Sequence, residues 1–146
     1  MRNPLFVCTG NTCRSVMAEG IFKKKALGEK AFSAGIAANP SYRIFGELAE
    51  IFDEEGIPYK NHVSTQVTKE ILGEAGVVLC MEKRHAEYIR ENFPFVSDKV
   101  FLLSEYAGEE GEIPDPIGLG KEFYRKTFDI ISKLVVKIIN GRKKDV

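Results

Sequence analysis

No stretch of this sequence is apolar for long enough to cross a membrane. The most hydrophobic late segment, Ile130 to Ile139, is broken by Lys133 and Lys137, whereas a span needs about 20 predominantly apolar residues. The leading run, Met1 to Cys8, is too short for a secretory signal. An excess of either charge is also missing, since 21 Lys and Arg balance 21 Asp and Glu. A neutral chain has no general field to gather nucleic acid or anionic lipid, so any anion it holds is caught by a local site. Cysteine is scarce, at three in 146 residues. That excludes a disulfide framework and points to a reducing, cytoplasmic setting. No internal repeat, low-complexity tract or Gly/Ser/Pro linker divides the chain. Hydrophobic residues make up 44% and charged ones 29%, proportions that exclude disorder and suit one compact domain over residues 1–146.

What is present alternates. Leu5-Phe6-Val7 reads as a short buried strand ending at Cys8. Met17, Ala18, Ile21, Phe22 and Ala26 recur at helical spacing between Arg14 and about Leu27. Ala31–Gly35 is a second strand. Leu48, Ile51 and Phe52 mark a helix face that stops at Gly56-Ile57-Pro58. Gly76–Met81 is a third strand, followed by a charged helix from Glu82 to Asn92, and Val100–Leu103 is a fourth. The last helix is predicted from about Lys121 to Asn140, with Phe128, Ile131, Leu134, Val135 and Ile138 as its stripe. Gly141 is read as its stop and Arg142-Lys143-Lys144 as a solvated tail. Strands alternating with helices predict an α/β fold with a parallel sheet covered on both faces. Ligands of such sheets sit beyond the carboxyl ends of the strands.

The segment Cys8-Thr9-Gly10-Asn11-Thr12-Cys13-Arg14-Ser15 lies where the first strand ends and the first helix begins. A turn of this size can curl so that successive N–H groups face one point, a nest for an anion. The helix N-terminus adds unpaired donors and a positive dipole end. Arg14 adds a planar fork that matches two phosphate oxygens. Gly10 and Asn11 tolerate the backbone such a curl demands. Cys8 at the base of this positive cup is favoured as a thiolate and so as a nucleophile. Cys-x5-Arg alone is a loose pattern, and the bland alternative makes Cys8 a core thiol and Arg14 a solvated helix residue. That alternative leaves Thr9 to Thr12 without a purpose.

A second signal lies in Ile113-Pro114-Asp115-Pro116-Ile117-Gly118, just before the last helix. The two prolines stiffen this loop and push Asp115 toward an extended backbone. Asp-Pro by itself marks a turn. Beside a cysteine nucleophile, a rigidly held Asp115 can act as general acid and protonate a leaving group.

With these residues in view, the sequence resembles the low-molecular-weight protein tyrosine phosphatase family over nearly its whole length. The likeness rests on Val7 to Ser15, Met17-Ala18-Glu19, Ser33-Ala34-Gly35, His62, Gln66 to Glu70, Leu79-Cys80-Met81 and Asp115-Pro116. It implies a single-domain, four-stranded parallel sheet flanked by helices. It also implies a two-step reaction on phosphorylated protein substrates, free of metal or other cofactor, that releases inorganic phosphate. Cys8 would form a cysteinyl-phosphate while Asp115 protonates the leaving group and later activates water. Arg14 and the loop from Thr9 to Ser15, Thr12 and Cys13 included, would hold the phosphoryl oxygens. Asn11, Ser15, Ser33 and His62 would support the loop. The family can also form a reversible disulfide here, between Cys8 and Cys13, that guards the nucleophile.

Two departures bear on substrate. Typical tyrosine phosphatases of the family carry a bulky aliphatic residue at the Thr12 position and aromatic residues after Asp-Pro, where this chain has Ile117 and Gly118. The chain also lacks tryptophan, so aromatic walls for a phenyl ring are thin, with Tyr42 as the remaining candidate. Bacterial protein arginine phosphatases of the family carry Thr at the Thr12 position, which favours phosphoarginine with phosphotyrosine close behind. A phosphotyrosine-specific enzyme is the alternative. An arsenate reductase would need a further cysteine after Cys80 for its thiol relay, and there is none. An inactive phosphoprotein-binding module would be expected to have lost Cys8, Arg14 or Asp115. Zinc on Cys8, Cys13, Cys80 and His62 lacks a compact second pair, and the loop lacks the lysine of a nucleotide-binding P-loop.

Overall fold

A computed structural model describes residues 2–144. Met1, Asp145 and Val146 of the expected 1–146 domain lie outside the described residues. Four strands form one parallel sheet in the order β2-β1-β3-β4. They are β1 (Pro4–Cys8), β2 (Phe32–Gly35), β3 (Val77–Cys80) and β4 (Val100–Leu102). The two central strands are buried along their whole length, as strands covered on both faces must be.

Alternation along these strands sorts the core into two layers. Phe6, Cys8, Val77 and Leu79 face α1 (Arg14–Lys25), α2 (Gly46–Glu55) and, further along the chain, α6 (Lys121–Lys144). Leu5, Val7, Val78 and Cys80 face α3 (Lys69–Glu74) and α4 (Lys83–Asn92). A one-turn helix, α5 (Leu103–Tyr106), closes the end of β4. The helix α3 went unread in the sequence, although Thr68 signals it by accepting the Ile71 N–H on its hydroxyl at 3.2 Å.

The chain leaves β1 for β2 on one side, and β3 takes the other. The strand order therefore reverses beside β1, and a crevice opens at its carboxyl end. Cys8 stands at that end.

The last helix does not stop at Gly141. It continues to Lys144 because Arg142 is not a solvated tail residue. Its guanidinium grips both carboxylate oxygens of Glu29, at 2.5 and 2.7 Å, and lies over the Phe22 ring at 5.8 Å. These tertiary contacts outweigh the weak helix propensity of one glycine. At the other boundaries the differences are small. Helix α1 ends at Lys25 and β4 at Leu102. Among the described residues, no helix is long and apolar enough to cross a membrane.

Candidate active site

The loop from Cys8 to Ser15 curls at the crevice. Asn11, at φ +55°, supplies the left-handed residue that the curl needs. Helix α1 then begins without a side-chain cap at Cys13 and without an acidic residue in its first turn. Nothing on the helix itself therefore competes for its free N–H groups or cancels the positive end of its dipole. Among the described residues, none of the N–H groups from Thr9 to Ser15 is spent on another backbone group.

Glycine 35 sets how deep the loop sits. Its N–H and carbonyl bond to Thr65 and Val67, and the next two residues donate to the carbonyls of Cys8 and Thr9. A Cβ at this position would lie 2.5 Å from the Thr9 carbonyl oxygen and 2.9 Å from the Asn11 nitrogen. Both are backbone atoms that cannot swing aside, so only glycine lets β2 approach so closely.

Asn11 is the keystone of the curl and is wholly buried. Its carbonyl oxygen accepts from His62 Nε2 at 2.7 Å and from the Ser64 hydroxyl at 3.1 Å. Its side-chain oxygen accepts the Thr65 N–H at 3.0 Å, and its Nδ2 donates to Ser15 Oγ at 2.8 Å. Ser15 Oγ in turn lies 3.0 Å from Cys8 Sγ. With one lone pair taken by Asn11, the Ser15 hydroxyl is free to donate to sulfur. Ser33, which the resemblance grouped with the supporting residues, instead donates to Glu19 on α1 at 2.6 Å. It pairs in register with Phe6 rather than with Cys8, two residue pairs short of the loop. Ser64 provides the serine hydroxyl on the loop that sequence reasoning sought at Ser33.

Arg14 is the largest fully buried side chain, at 1% exposure. Its Nη1 is held by Glu82 and by the Ile113 carbonyl at 2.7 Å. That leaves Nη2 facing the crevice, 3.5 Å from the Thr9 hydroxyl and 3.8 Å from Asp115 Oδ2. Burial alone would push the Glu82 carboxyl up, but hydrogen bonds from Arg84 and Arg14 and their charges bring it below the ordinary range. Glu82 is thus an anion that anchors the arginine. The Asp115 carboxylate spends Oδ1 on the Ile117 N–H at 3.0 Å, so Oδ2 remains available to carry a proton.

Of the other cysteines, Cys13 is buried in the same loop as Cys8. Its thiol is pushed up by burial and then by the negative charges of Cys8 and Asp115. Cys80 sits on the opposite sheet face from Cys8, and burial pushes its thiol up to about 12. Among the described residues, no group of three or more His, Cys, Asp and Glu is arranged to hold a metal ion.

At the rim, Tyr42 packs its ring 6.0 Å from that of Phe45. Tyr124, from the first turn of α6, was not foreseen. Its hydroxyl is raised by burial and then by Cys13, Tyr42 and Asp115, which places it among these groups. Glu82, Arg84 and His85 were also missed. They reach the loop from the carboxyl end of β3, 68 to 76 residues away in sequence.

The family model for low molecular weight phosphotyrosine protein phosphatase matches residues 3–146. A protein-arginine-phosphatase of Bacillus subtilis is 38% identical over 97% of this chain and 97% of its own. The low molecular weight protein-tyrosine-phosphatase PtpB of Staphylococcus aureus is 36% identical over 92% of this chain and 94% of its own. A cysteine-to-serine mutant of YwlE arginine phosphatase with a phosphorylated active site serine superposes with a TM-score of 0.90 at 37% identity. That match covers 98% of this chain and 97% of the other. The chain belongs to the low molecular weight phosphotyrosine protein phosphatase family.

Proposed function

We propose that this chain is a cysteine-dependent protein phosphatase that prefers phosphoarginine over phosphotyrosine, with Cys8, Arg14 and Asp115 as its catalytic residues. The observation that carries the reading is the convergence, on one uncapped helix N-terminus, of a cysteine, a buried arginine and a carboxylate with a free oxygen.

In the first step, Cys8 Sγ attacks phosphorus. The S–P bond forms as the bond to the leaving group breaks, and Asp115 Oδ2 gives that group its proton. The loop amides from Thr9 to Ser15 and the Nη2 edge of Arg14 meet the negative charge on the phosphoryl oxygens. In the second step, Asp115 takes a proton from water as its oxygen attacks phosphorus. Inorganic phosphate departs, and the thiolate leaves with the Ser15 hydroxyl donating to it. No cofactor is needed. The phosphorylated active site serine in the YwlE mutant fits an intermediate carried by the residue at the nucleophile's position.

Phosphoarginine is favoured by Thr12, which is half-buried in the loop and offers a hydroxyl where a bulky aliphatic side chain would pack on a phenyl ring. The Asp115 carboxylate can pair with a guanidinium. The relatives named for arginine and for tyrosine phosphatase activity are similarly close to this chain. Substrates are phosphorylated proteins in a reducing, cytoplasmic setting, where the Cys8 thiol and its Cys13 partner stay usable; neither nucleic acid nor membrane is a partner.

Phosphoarginine and phosphotyrosine peptides should be compared side by side with wild-type protein and with Thr12→Ile. The expected result is faster phosphoarginine hydrolysis by wild type and a shift of about tenfold toward phosphotyrosine in the variant. An unchanged preference would reject the role of Thr12. Turnover retained by Cys8→Ser would reject the nucleophile.

A further inference from the structure

The hydroxyl of Thr9 is surrounded by donors. His85 Nε2 lies 2.9 Å from it, Arg84 Nη2 lies 2.6 Å from it, and Arg14 Nη2 lies 3.5 Å away. The His85 contact has one possible direction. His85 Nδ1 accepts the Glu82 backbone N–H at 3.1 Å, so that nitrogen carries no proton and Nε2 carries the only one. The ring is wholly buried, and burial, followed by the positive charge of Arg14, pushes it down to about 4. A neutral ring with its proton on Nε2 donates to Thr9. So does Arg84, since a guanidinium cannot accept.

A hydroxyl has two lone pairs and one proton. Two short donors take both lone pairs of Thr9, which leaves its proton to be donated. Among the described residues, no protein acceptor takes it. Thr9 directly follows the nucleophile, and the Arg14 edge beside its hydroxyl is the one that faces Asp115.

We propose that the Thr9 hydroxyl is a further donor to the phosphoryl group in the pocket, its proton turned there by His85 and Arg84. It adds a side-chain hydrogen bond to the ring of backbone donors, on the side of the pocket where β3 ends. The proton is shared and not transferred, so no bond to it breaks in either step. Arg84 and His85 act through Thr9 and are positioning residues. This inference rests on the reading of the loop as a phosphoryl site.

The test combines calorimetric binding of inorganic phosphate, which needs no turnover, with kcat/KM on an aryl phosphate and inhibition by vanadate. Thr9→Val removes the hydroxyl and keeps the shape. It should weaken phosphate and vanadate and lower kcat/KM by about 10- to 100-fold, and it should lower the melting temperature modestly, because the buried His85 N–H loses its acceptor. Thr9→Ser should restore most of the loss. Arg84→Ala should cost several-fold in wild type and clearly less in the Thr9→Val background, where only its bonds to Glu82 remain to be lost. Thr9→Val that binds phosphate and turns over within twofold of wild type would overturn the proposal. So would additive losses in the double variant. A wild-type protein that binds phosphate but hydrolyses no aryl phosphate would instead overturn the phosphatase reading.

Discussion

Arg14 Nη2 and Asp115 Oδ2 stand 3.8 Å apart, within electrostatic reach but beyond a hydrogen bond. The gap lies between the residue that would hold the phosphoryl group and the residue that would protonate the leaving group. A substrate oxygen or nitrogen at the scissile bond can therefore meet both without displacing either.

Asp115→Asn keeps the Ile117 N–H bond and removes the exchangeable acid. On aryl phosphates with poor leaving groups, kcat should fall by about 10²–10⁴-fold. On activated ones, which depart without a proton, the loss should be much smaller. A plot of log kcat against leaving-group pKa checks this, and equal losses along the series would remove Asp115 from the acid role.

The Asn11 network carries a structural prediction. Asn11→Ala deletes bonds to Thr65 and Ser15 and puts a nonpolar residue at positive φ, at a cost of about 2–4 kcal/mol in unfolding free energy. Ser64→Ala removes one of two donors to the Asn11 carbonyl and should cost about 1 kcal/mol. Urea unfolding measures both, and Asn11→Ala should also lose activity because its loop relaxes. Ser33→Ala should leave activity near wild type, since its hydroxyl serves Glu19.

The buried His85 makes stability depend on pH. Its folded value of about 4 lies below the ordinary 6.5, through burial first and Arg14 second. Below 6.5 the unfolded chain takes up a proton that the folded chain refuses. Stability should therefore fall as pH drops from about 6.5 to 4, by about 3 kcal/mol from this group, and level off below. Glu82, held below its ordinary value, adds a loss that begins at lower pH. Unfolding curves of wild type and His85→Asn across this range separate the two. A slope between pH 6.5 and 5 that persists in the variant would assign it elsewhere.

Oxidation tests the pairing that the family resemblance suggests. Peroxide should inactivate the wild type reversibly, with thiol restoring activity, whereas Cys13→Ser should be lost irreversibly. Because Cys13 is held as a neutral thiol, disulfide closure should be slow at neutral pH and faster in alkali. Equal recovery in wild type and Cys13→Ser would dismiss the pairing.

Much of this site could be read from the chain because it is local. Cys8, Asn11, Arg14 and Ser15 lie within one strand-loop-helix junction, and the free helix start follows from their order. The sheet was legible for a similar reason, since its central strands are unbroken apolar runs. What stayed hidden came from distant segments. Glu82 and Arg84 look like solvated charges on a polar helix until β3 pairs with β1 and brings them over the loop. Ser64 has no pattern of its own and is defined only by the Asn11 carbonyl it meets. Ser33 shares the sheet face of Cys8 but lies two pairs before the loop, so its hydroxyl meets Glu19 on α1, a placement that only the register of β2 with β1 reveals. Gly141 failed as a stop because Glu29 and Phe22, more than a hundred residues earlier, hold the last turn.

Gly35 fixes the floor of the pocket by its lack of a side chain. A floor gauged by contact between two backbones cannot be raised or lowered by ordinary substitution without displacing the loop that follows Cys8. The depth available to a substrate is thus a constant of the fold. Any change of preference, whether natural or engineered, has to be written on the walls, at Thr12, Tyr42, Tyr124 and the residues after Asp115.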